Sequence, residues 1–259
     1  MKKQNQNDEL VFLPLGGSNE VGMNLNAYGF GPAHDRKWII VDVGVTFGDQ
    51  STPGVDVIVP DPTFLEGENI LGIVLTHAHE DHIGALGWLW PRIQAPLYAT
   101  PFTAFLIREK LRDAGIYEDV ELHEAPLGST VNLGPFEVTY VTITHSIAEP
   151  NGLAIKTPLG TVLHTGDWKI DNDPVVGERT DVDFIQKLGD EGVLAMVCDS
   201  TNVFVDGVAG SEGDVKVKLA ELIQGLKGRV AVGCFASNVA RMHSVISAAE
   251  AAGRRVALA

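Results

Sequence analysis

The sequence predicts an α/β protein, and three observations support that prediction. Short apolar runs alternate with glycine, proline and aspartate along most of the 259 residues. Hydrophobic residues make up 45% of the chain, enough for a large core, and 28 glycines permit many tight turns. Polar side chains recur directly after the apolar runs. The pattern indicates an α/β sandwich over roughly the first 200 residues and a separate α/β unit from about residue 210.

The first part of the chain is predicted to contain three buried strands, LVFLPL, KWIIVDVG and NILGIVLTH. They are apolar almost throughout, which is typical of strands covered on both faces. A helix is expected from His82 to Trp90, with Asp81 at its positive end and Pro91 ending it. APLYA is the next expected strand, and TPFTAFLIREKLRDAG is expected as an amphipathic helix that ends at Gly115.

The later part is predicted to continue with the strands FEVTYVTITH, GLAIKTPLGTVLHTGD and GVLAMVCDST, the second of them containing a TPLG turn. SEGDVKVKLAELIQGLKG is predicted as a helix that begins at Ser211. GRVAVGCFAS is predicted as a strand leading into a helix over NVARMHSVISAAEAAG. We therefore expect a first domain over residues 1–205 and the beginning of a second, incomplete domain over 206–259.

Charge and composition restrict the function classes. The formal net charge of −15, from 34 acidic against 19 Lys and Arg residues, disfavours a nucleic-acid partner, because phosphate binding usually needs a basic face. Net charge does not describe local patches, however, and two bound divalent cations would offset four of these charges. No run approaches eighteen apolar residues and no signal peptide is recognisable, so a cytoplasmic protein without membrane contact is expected. Cys198 and Cys234 lie in apolar runs and are expected to be buried thiols.

The segment LTHAHEDHIGAL, residues 75–86, places three histidines and two acids within positions 77–82, between apolar flanks. Burying such groups is costly unless each has a partner. Imidazole nitrogens and carboxylate oxygens are ligands that zinc accepts, so His77, His79, Asp81 and His82 are candidate metal ligands. A polar surface loop is the alternative, and it would be the usual explanation for a single histidine.

Five polar residues directly follow predicted strands: Asp42, His77, His145, Asp167 and Asp199. Loops at the ends of strands in a rigid sheet are where catalytic groups gather, so these five residues are expected to converge on one site. Each of them alone could instead be a helix cap, a turn residue or a solvated loop residue. His164, on a strand just before TGD, is assigned to packing or hydrogen bonding.

These motifs resemble the metallo-β-lactamase superfamily, whose metal motif has the form of THAHEDH. The resemblance implies an αββα sandwich with two zinc ions, or manganese or magnesium in their place. It implies that His77, His79 and His145 hold one ion and that Asp81 and His82 hold the other. Asp167 would bridge the two ions. Asp42 would not contact the ions but would orient the residues that bind them.

The segments GGSNEVGMN, THAHEDHIGAL, THSIAEPNGLAIKTPLGTVLHTGDWKID, VCDSTN and GCFASNVARM are similar to those of RNase J, a β-CASP ribonuclease family. This resemblance covers essentially the whole chain. It implies hydrolysis of RNA phosphodiester bonds, as a 5′–3′ exonuclease, an endonuclease or both, in rRNA processing and mRNA decay. It also implies a homodimer or higher oligomer for the full-length protein. Asp81, Asp167 and Asp199 are the implied catalytic residues, and Asn19 stands where the family has glycine.

Two other functions stay open from the sequence. The first is a small-molecule metallohydrolase that cleaves a thioester, a lactone or a lactam, and the second is a non-catalytic metal-binding fragment. Dinucleotide binding is disfavoured because Gly16, Gly17 and Gly22 do not have the G-x-G-x-x-G spacing. The later histidine motifs of the β-CASP family are expected beyond residue 259, so little or no nuclease activity is expected from this chain alone.

Overall fold

A computed structural model describes residues 7–258. The strands, in chain order, are β1 (Glu9–Gly16), β2 (Leu25–Gly31), β3 (Lys37–Val41), β4 (Thr46–Phe47), β5 (Val57–Ile58), β6 (Asn69–Val74), β7 (Leu97–Ala99), β8 (Leu122–Glu124), β9 (Thr130–Leu133), β10 (Phe136–Thr142), β11 (Asn151–Thr157), β12 (Gly160–His164) and β13 (Ala195–Val197). The α-helices are α1 (Glu80–Ile83), α2 (Leu86–Ile93), α3 (Pro101–Asp113), α4 (Val182–Glu191), α5 (Glu212–Gly225) and α6 (Val239–Ala251). None of the helices within residues 7–258 is long and apolar enough to cross a membrane.

The strands form two large sheets and a two-stranded ribbon of β4 and β5. The first sheet has the order β1-β2-β3-β6-β7-β8, in which β3, β6, β7 and β8 are parallel neighbours. The second sheet has the order β13-β12-β11-β10-β9. Because β10 and β12 both pair antiparallel with β11, they run in the same direction, and β13 pairs parallel with β12. The carboxyl ends of the parallel strands therefore lie at one edge of each sheet.

The alternation of side chains along β3 explains the layering. Trp38 and Ile40 point to one face and join the core beneath α1, α2 and α3, whereas Ile39 and Val41 point to the other and join the core between the sheets. Leu188 of α4 belongs to a smaller core on the outer face of the second sheet. Burial of one such side chain contributes about 1.5–3 kcal/mol. The layers are helix, sheet, sheet and helix, which confirms the predicted αββα sandwich.

The helices after β6 depart from the prediction. A single helix over His82–Trp90 was expected, but the chain forms α1 and α2 instead, and Pro91 lies inside α2. The expected stop at Pro91 is wrong: the proline lies inside α2, where it removes one backbone hydrogen bond and crowds the carbonyl four residues earlier, but does not end the helix. The helix ends where Gln94 takes a left-handed conformation with φ 53°. The predicted end of the following helix is confirmed, with Gly115 at φ 72° after α3.

Several elements were missed, namely β2, α4 and the short strands β4, β5, β8 and β9. All residues of β2 are buried, although its asparagine and glycines lower strand propensity. A Cβ at Gly29 would lie 2.7 Å from the Trp38 ring, so glycine here lets the ring pack against the strand. Helix α4 was missed as well, although the Asp181 carboxylate caps it by accepting a hydrogen bond from the Phe184 amide.

The loop between β1 and β2 accommodates Asn19 where the resemblance implied glycine. Asn19 has φ 61°, in the left-handed region that glycine enters freely and that asparagine tolerates better than most residues. The substitution therefore suits the conformation of this turn.

The last part of the chain contains the two predicted helices but not the predicted strand between them. The Ser211 hydroxyl caps α5 by accepting from the Gly213 amide, as expected. Residues 228–236 are irregular, because a strand needs a hydrogen-bonding neighbour and none of the described strands pairs with this run. Cys234 is exposed there and Cys198 is only half-buried, so the prediction of two buried thiols is wrong. A domain boundary at 205/206 stays a prediction.

Candidate metal centre

Five segments carry the predicted site residues to one edge of the sandwich. His77 follows β6, His79 immediately precedes α1, and Asp81 and His82 lie in the first turn of α1. His145 follows β10 on the facing sheet. The remaining residues also follow strands, namely Asp42 after β3, Asp167 after β12 and Asp199 after β13.

The turn that bears Asp81 and His82 is held by backbone hydrogen bonds to the chain after β3. The Val43 amide donates to the His82 carbonyl at 2.7 Å, and the Val45 amide donates to the Glu80 carbonyl at 3.0 Å. Between them, a Cβ at Gly44 would lie 1.6 Å from the Asp81 carbonyl oxygen. Only glycine permits this approach, so Gly44 positions half of the site without contributing a side chain.

Three histidines form the first group of candidate ligands. His77 Nε2 lies 3.0 Å from His79 Nδ1, and His145 Nε2 lies 3.2 Å from the same atom. Nitrogens bound to one tetrahedral zinc at about 2.0–2.1 Å would be separated by about 3.3 Å. Lone pairs converging at this spacing would repel one another without a proton or a cation between them. The geometry of the donor set therefore fits a metal ion.

Asp81, His82 and Asp167 form the second group. His82 Nε2 lies 3.5 Å from Asp81 Oδ2 and 3.3 Å from Asp167 Oδ1. The other carboxylate oxygen of Asp167, Oδ2, lies 3.7 Å from His145 Nε2. Within each group the candidate ligand atoms lie within 4.8 Å of one another, and Asp167 belongs to both groups. One carboxylate thus faces both candidate positions.

Asp42 lies behind these ligands and is fully buried. Its Oδ2 is 2.7 Å from His82 Nδ1, and its Oδ1 accepts a hydrogen bond from the Thr76 amide at 2.8 Å. A carboxylate on one ring nitrogen places the proton there and leaves the other nitrogen, here Nε2, to face the site. The sequence reasoning did not single out Thr76, although it lies within the quoted THAHEDH motif.

Asn24 is a second supporting residue that was missed. Its side-chain Nδ2 donates to the Asp81 carbonyl at 3.0 Å and lies 3.3 Å from His82 Nε2. Its own amide also donates to the Asp81 carbonyl. Asn24 ends the GGSNEVGMN segment, and nothing in that segment's sequence indicates a contact with the helix.

The electrostatics of the site favour a bound cation. Burial lowers the pKa of His77 well below its ordinary value, and burial with the neighbouring His79 lowers the pKa of His145 to about 4. Burial opposes ionisation of Asp167, but the hydrogen bond and charge of His82 lower its pKa to about 2. Burial lowers the pKa of His82. The charge of Asp42 and the hydrogen bonds to Asp167 and Asp42 outweigh this effect and raise the pKa of His82 well above its ordinary value. A metal ion would displace the proton from His82 Nε2.

Asp199 lies beside the ligand groups and not within them. Its amide donates to the Thr165 hydroxyl at 3.1 Å, and its carbonyl accepts from Trp168 Nε1 at 3.1 Å, so it adjoins the loop that carries Asp167. Its carboxylate accepts from the Thr201 amide at 2.9 Å. The packing role predicted for His164 is confirmed, because the ring is buried with Nδ1 2.9 Å from the Tyr28 hydroxyl.

The αββα sandwich with histidine and aspartate groups at one edge is compatible with a metal site, and the comparison with known families supports the fold class. Residues 26–184 match the model of the Metallo-beta-lactamase superfamily, and the chain belongs to this superfamily. In three dimensions it is similar to a protein of unknown function from Enterococcus faecalis, with a TM-score of 0.67 and 18% sequence identity. The match covers 92% of this chain and 63% of that one.

Similar curated proteins carry a more specific name. The chain is 50% identical over 255 residues to Ribonuclease J of Sinorhizobium meliloti, which covers 98% of this chain and 45% of that protein. It is 38% identical to Ribonuclease J of a Synechocystis species, covering 100% of this chain and 40% of the relative. It is 34% identical to Ribonuclease J 1 of Streptococcus pyogenes, covering 97% of this chain and 44% of the relative. The chain thus spans less than half the length of these relatives.

Proposed function

We propose that this chain is part of a metal-dependent ribonuclease of the RNase J type and carries its dinuclear metal centre. The carboxylate of Asp167 supports this most directly, because it faces the three-histidine group with one oxygen and the Asp81–His82 group with the other. The names of the relatives supply the substrate class, which the site geometry alone does not specify.

The residues would divide the work as follows. His77, His79 and His145 would hold one divalent ion, Asp81 and His82 the other, and Asp167 would bridge them. Zinc ions at these positions would supply an activated water and neutralise charge on the phosphate oxygens. Asp42 would hold His82 in the tautomer that presents Nε2 to the site. Asp199 would assist proton transfer to the leaving oxygen, a contribution typically worth about 10²–10⁴ in rate.

The metal centre is tested by metal analysis of the purified chain after loading with zinc or manganese. We expect about two ions per chain, as in dinuclear hydrolytic sites. Asp167→Asn should weaken both positions together because a neutral amide bridges two cations poorly, whereas His145→Ala should mainly empty one. Glu66→Gln, which removes the exposed ion pair with Arg92, is the matched control and should retain both ions. Equal small losses in Asp167→Asn and His145→Ala would contradict the bridging role.

The substrate class is tested by joining this chain to the part of S. meliloti Ribonuclease J that follows the aligned region. The zinc-loaded chimera should hydrolyse 5′-monophosphorylated RNA, and the Asp167→Asn chimera should not. The chain alone should be much slower, because RNA is expected to run between the first domain and a complete second one. If the zinc-loaded chimera and the chain alone both released thiol from a thioester, and neither cleaved RNA, a small-molecule hydrolase would be favoured instead.

A further inference from the structure

The far side of the His79 ring contacts the second part of the chain. His79 Nδ1 faces the other two histidines, whereas its Nε2 lies 3.4 Å from the backbone carbonyl oxygen of Ser237, just before α6. If Nδ1 binds a metal, Nε2 carries the ring proton and donates a hydrogen bond to this carbonyl. An acceptor of this kind fixes the tautomer and the orientation of a metal-binding histidine.

The beginning of α6 is held against the sandwich next to a second candidate ligand. The Ala240 amide donates to the Ser146 carbonyl at 3.3 Å, immediately after His145. Val239 packs on the same core that contains Ile147. The segment that presents the Ser237 carbonyl is therefore docked by both polar and apolar contacts.

A set of polar residues, which we call the clasp, links this docked helix to the loop of Asp167. The clasp consists of Asp171, Ser211, Glu212 and Arg241. The carboxylate of Asp171 is buried and accepts from the Ser211 hydroxyl at 2.6 Å and from the Glu212 amide at 2.9 Å. The Glu212 carboxylate in turn accepts from Arg241 Nη2 at 2.8 Å and from Arg241 Nε at 3.3 Å. This two-point pairing fixes α6 relative to α5.

The other end of the clasp is linked to the sandwich. The Lys169 amide donates to the Thr144 carbonyl at 3.0 Å, next to His145, and the Lys169 ammonium lies 3.1 Å from Asp171 Oδ2. A Cβ at Gly213 would lie 2.0 Å from the Asp173 carboxylate, so the start of α5 fits closely against this loop. Contacts thus run from Asp167 through the clasp to α6 and return to His79.

We infer that the Ser237 carbonyl is the outer hydrogen-bond partner of the metal-binding His79, and that the clasp positions it there. The second part of the chain then contributes to the metal centre itself through Glu212 and Arg241, which act as positioning residues. The inference rests on the proposed metal centre and goes beyond its ligand set.

The test measures two properties of the zinc-loaded chain. The first is zinc affinity, obtained by competition with a chelating dye, and the second is the ¹H–¹⁵N NMR signal of the His79 Nε2 proton. Glu212→Gln weakens the ion pair with Arg241 and should lower the affinity about tenfold, the lower end of the range for loss of an outer partner. The His79 Nε2 proton should also exchange faster with water. Glu66→Gln again removes an ion pair remote from the site and should leave both properties unchanged.

Charge reversal separates positioning from a loss of folding. The double variant E212R/R241E restores an ion pair with inverted polarity and should recover most of the affinity and the slow exchange, while E212R alone should not. If Glu212→Gln and E212R both bind zinc as the unaltered chain does, with an unchanged His79 signal, the inference is wrong and the metal centre stands. If the unaltered chain binds no zinc, the metal centre itself fails, and the inference fails with it.

Discussion

The sandwich and the region after β13 both contain apolar runs, but they differ in how far the side chains of these runs are buried. Phe136 is 1% exposed between the two sheets, whereas Phe235 is 84% exposed in the irregular run between α5 and α6. In the sandwich each apolar strand has neighbours on both sides or a layer above it, and burial follows. In the second region α5 and α6 pack on each other, but the apolar run between them pairs with none of the described strands. An apolar run therefore becomes a strand only where a partner is present.

The largest effect on stability is expected from Phe136→Ala. This ring lies in the core between the sheets and makes an edge contact with Phe30, with ring centroids 6.4 Å apart. Removal of a buried phenylalanine side chain loses its transfer free energy and leaves a cavity, at a cost of about 3–5 kcal/mol. Chemical denaturation of the metal-free chain measures the free energy of unfolding. A loss below about 1 kcal/mol would mean that the two sheets are not tightly packed in solution.

A somewhat smaller effect is expected from Gly44→Ala, which tests how the sandwich positions the site. The added methyl group would overlap the Asp81 carbonyl and push the first turn of α1 away from the chain after β3. Overpacking of this kind costs up to about 3 kcal/mol. The Asp81–His82 group should lose its ion while the three-histidine group keeps one, so zinc content should fall by about half. Retention of both ions would show that this close approach does not position the ligands.

The candidate histidine and aspartate ligands could be picked out from the sequence because their chemistry is concentrated in a few short motifs. THAHEDH alone supplies four of the candidate ligands, and the others directly follow strands that their apolar sequences reveal. The supporting contacts were not predictable in this way. Gly44 matters only because the first turn of α1 lies against it, and Asn24 meets the Asp81 carbonyl across 57 positions of sequence. Such contacts depend on the completed topology.

The distinction between local sequence and contacts between distant segments also explains which strands were predicted correctly. The strands around β3 and β6 were found because both of their faces are apolar, whereas β2 was missed because its glycines and asparagine hide a buried central strand. The apolar run GRVAVGCFAS, residues 228–237, was wrongly predicted to be a strand. Local sequence specifies which residues can be buried, and pairing between distant segments determines whether they form a sheet.

The core of the sandwich should also respond to acid through His164. Burial lowers the pKa of this histidine to about 4, from an ordinary value near 6.5. Between these values the unfolded chain binds the proton and the folded chain does not, so stability is lost as the pH falls from about 6.5. For this residue the loss reaches about 3 kcal/mol near pH 4. His164→Asn should reduce the pH dependence of unfolding, measured with metal chelated.

Tyr28→Phe provides the control for that measurement. It removes the hydroxyl that contacts His164 Nδ1 but keeps the buried imidazole, so most of the pH dependence should remain. If His164→Asn leaves the pH dependence unchanged while Tyr28→Phe abolishes it, the assignment to the histidine is wrong.

The smallest effect is expected from Phe235→Ala, the counterpart of Phe136→Ala in the second region. An exposed side chain loses little on truncation, because it is solvated in both the folded and the unfolded chain, and substitutions of this kind usually change stability by less than about 0.5 kcal/mol. Phe235 nevertheless lies two residues before Ser237, whose carbonyl faces His79. If the clasp and not the phenylalanine ring holds this segment in place, the zinc affinity of Phe235→Ala should also be unchanged. A loss of stability comparable to that of Phe136→Ala would show that residues 228–236 are packed in solution, and the contrast between the two regions would then disappear.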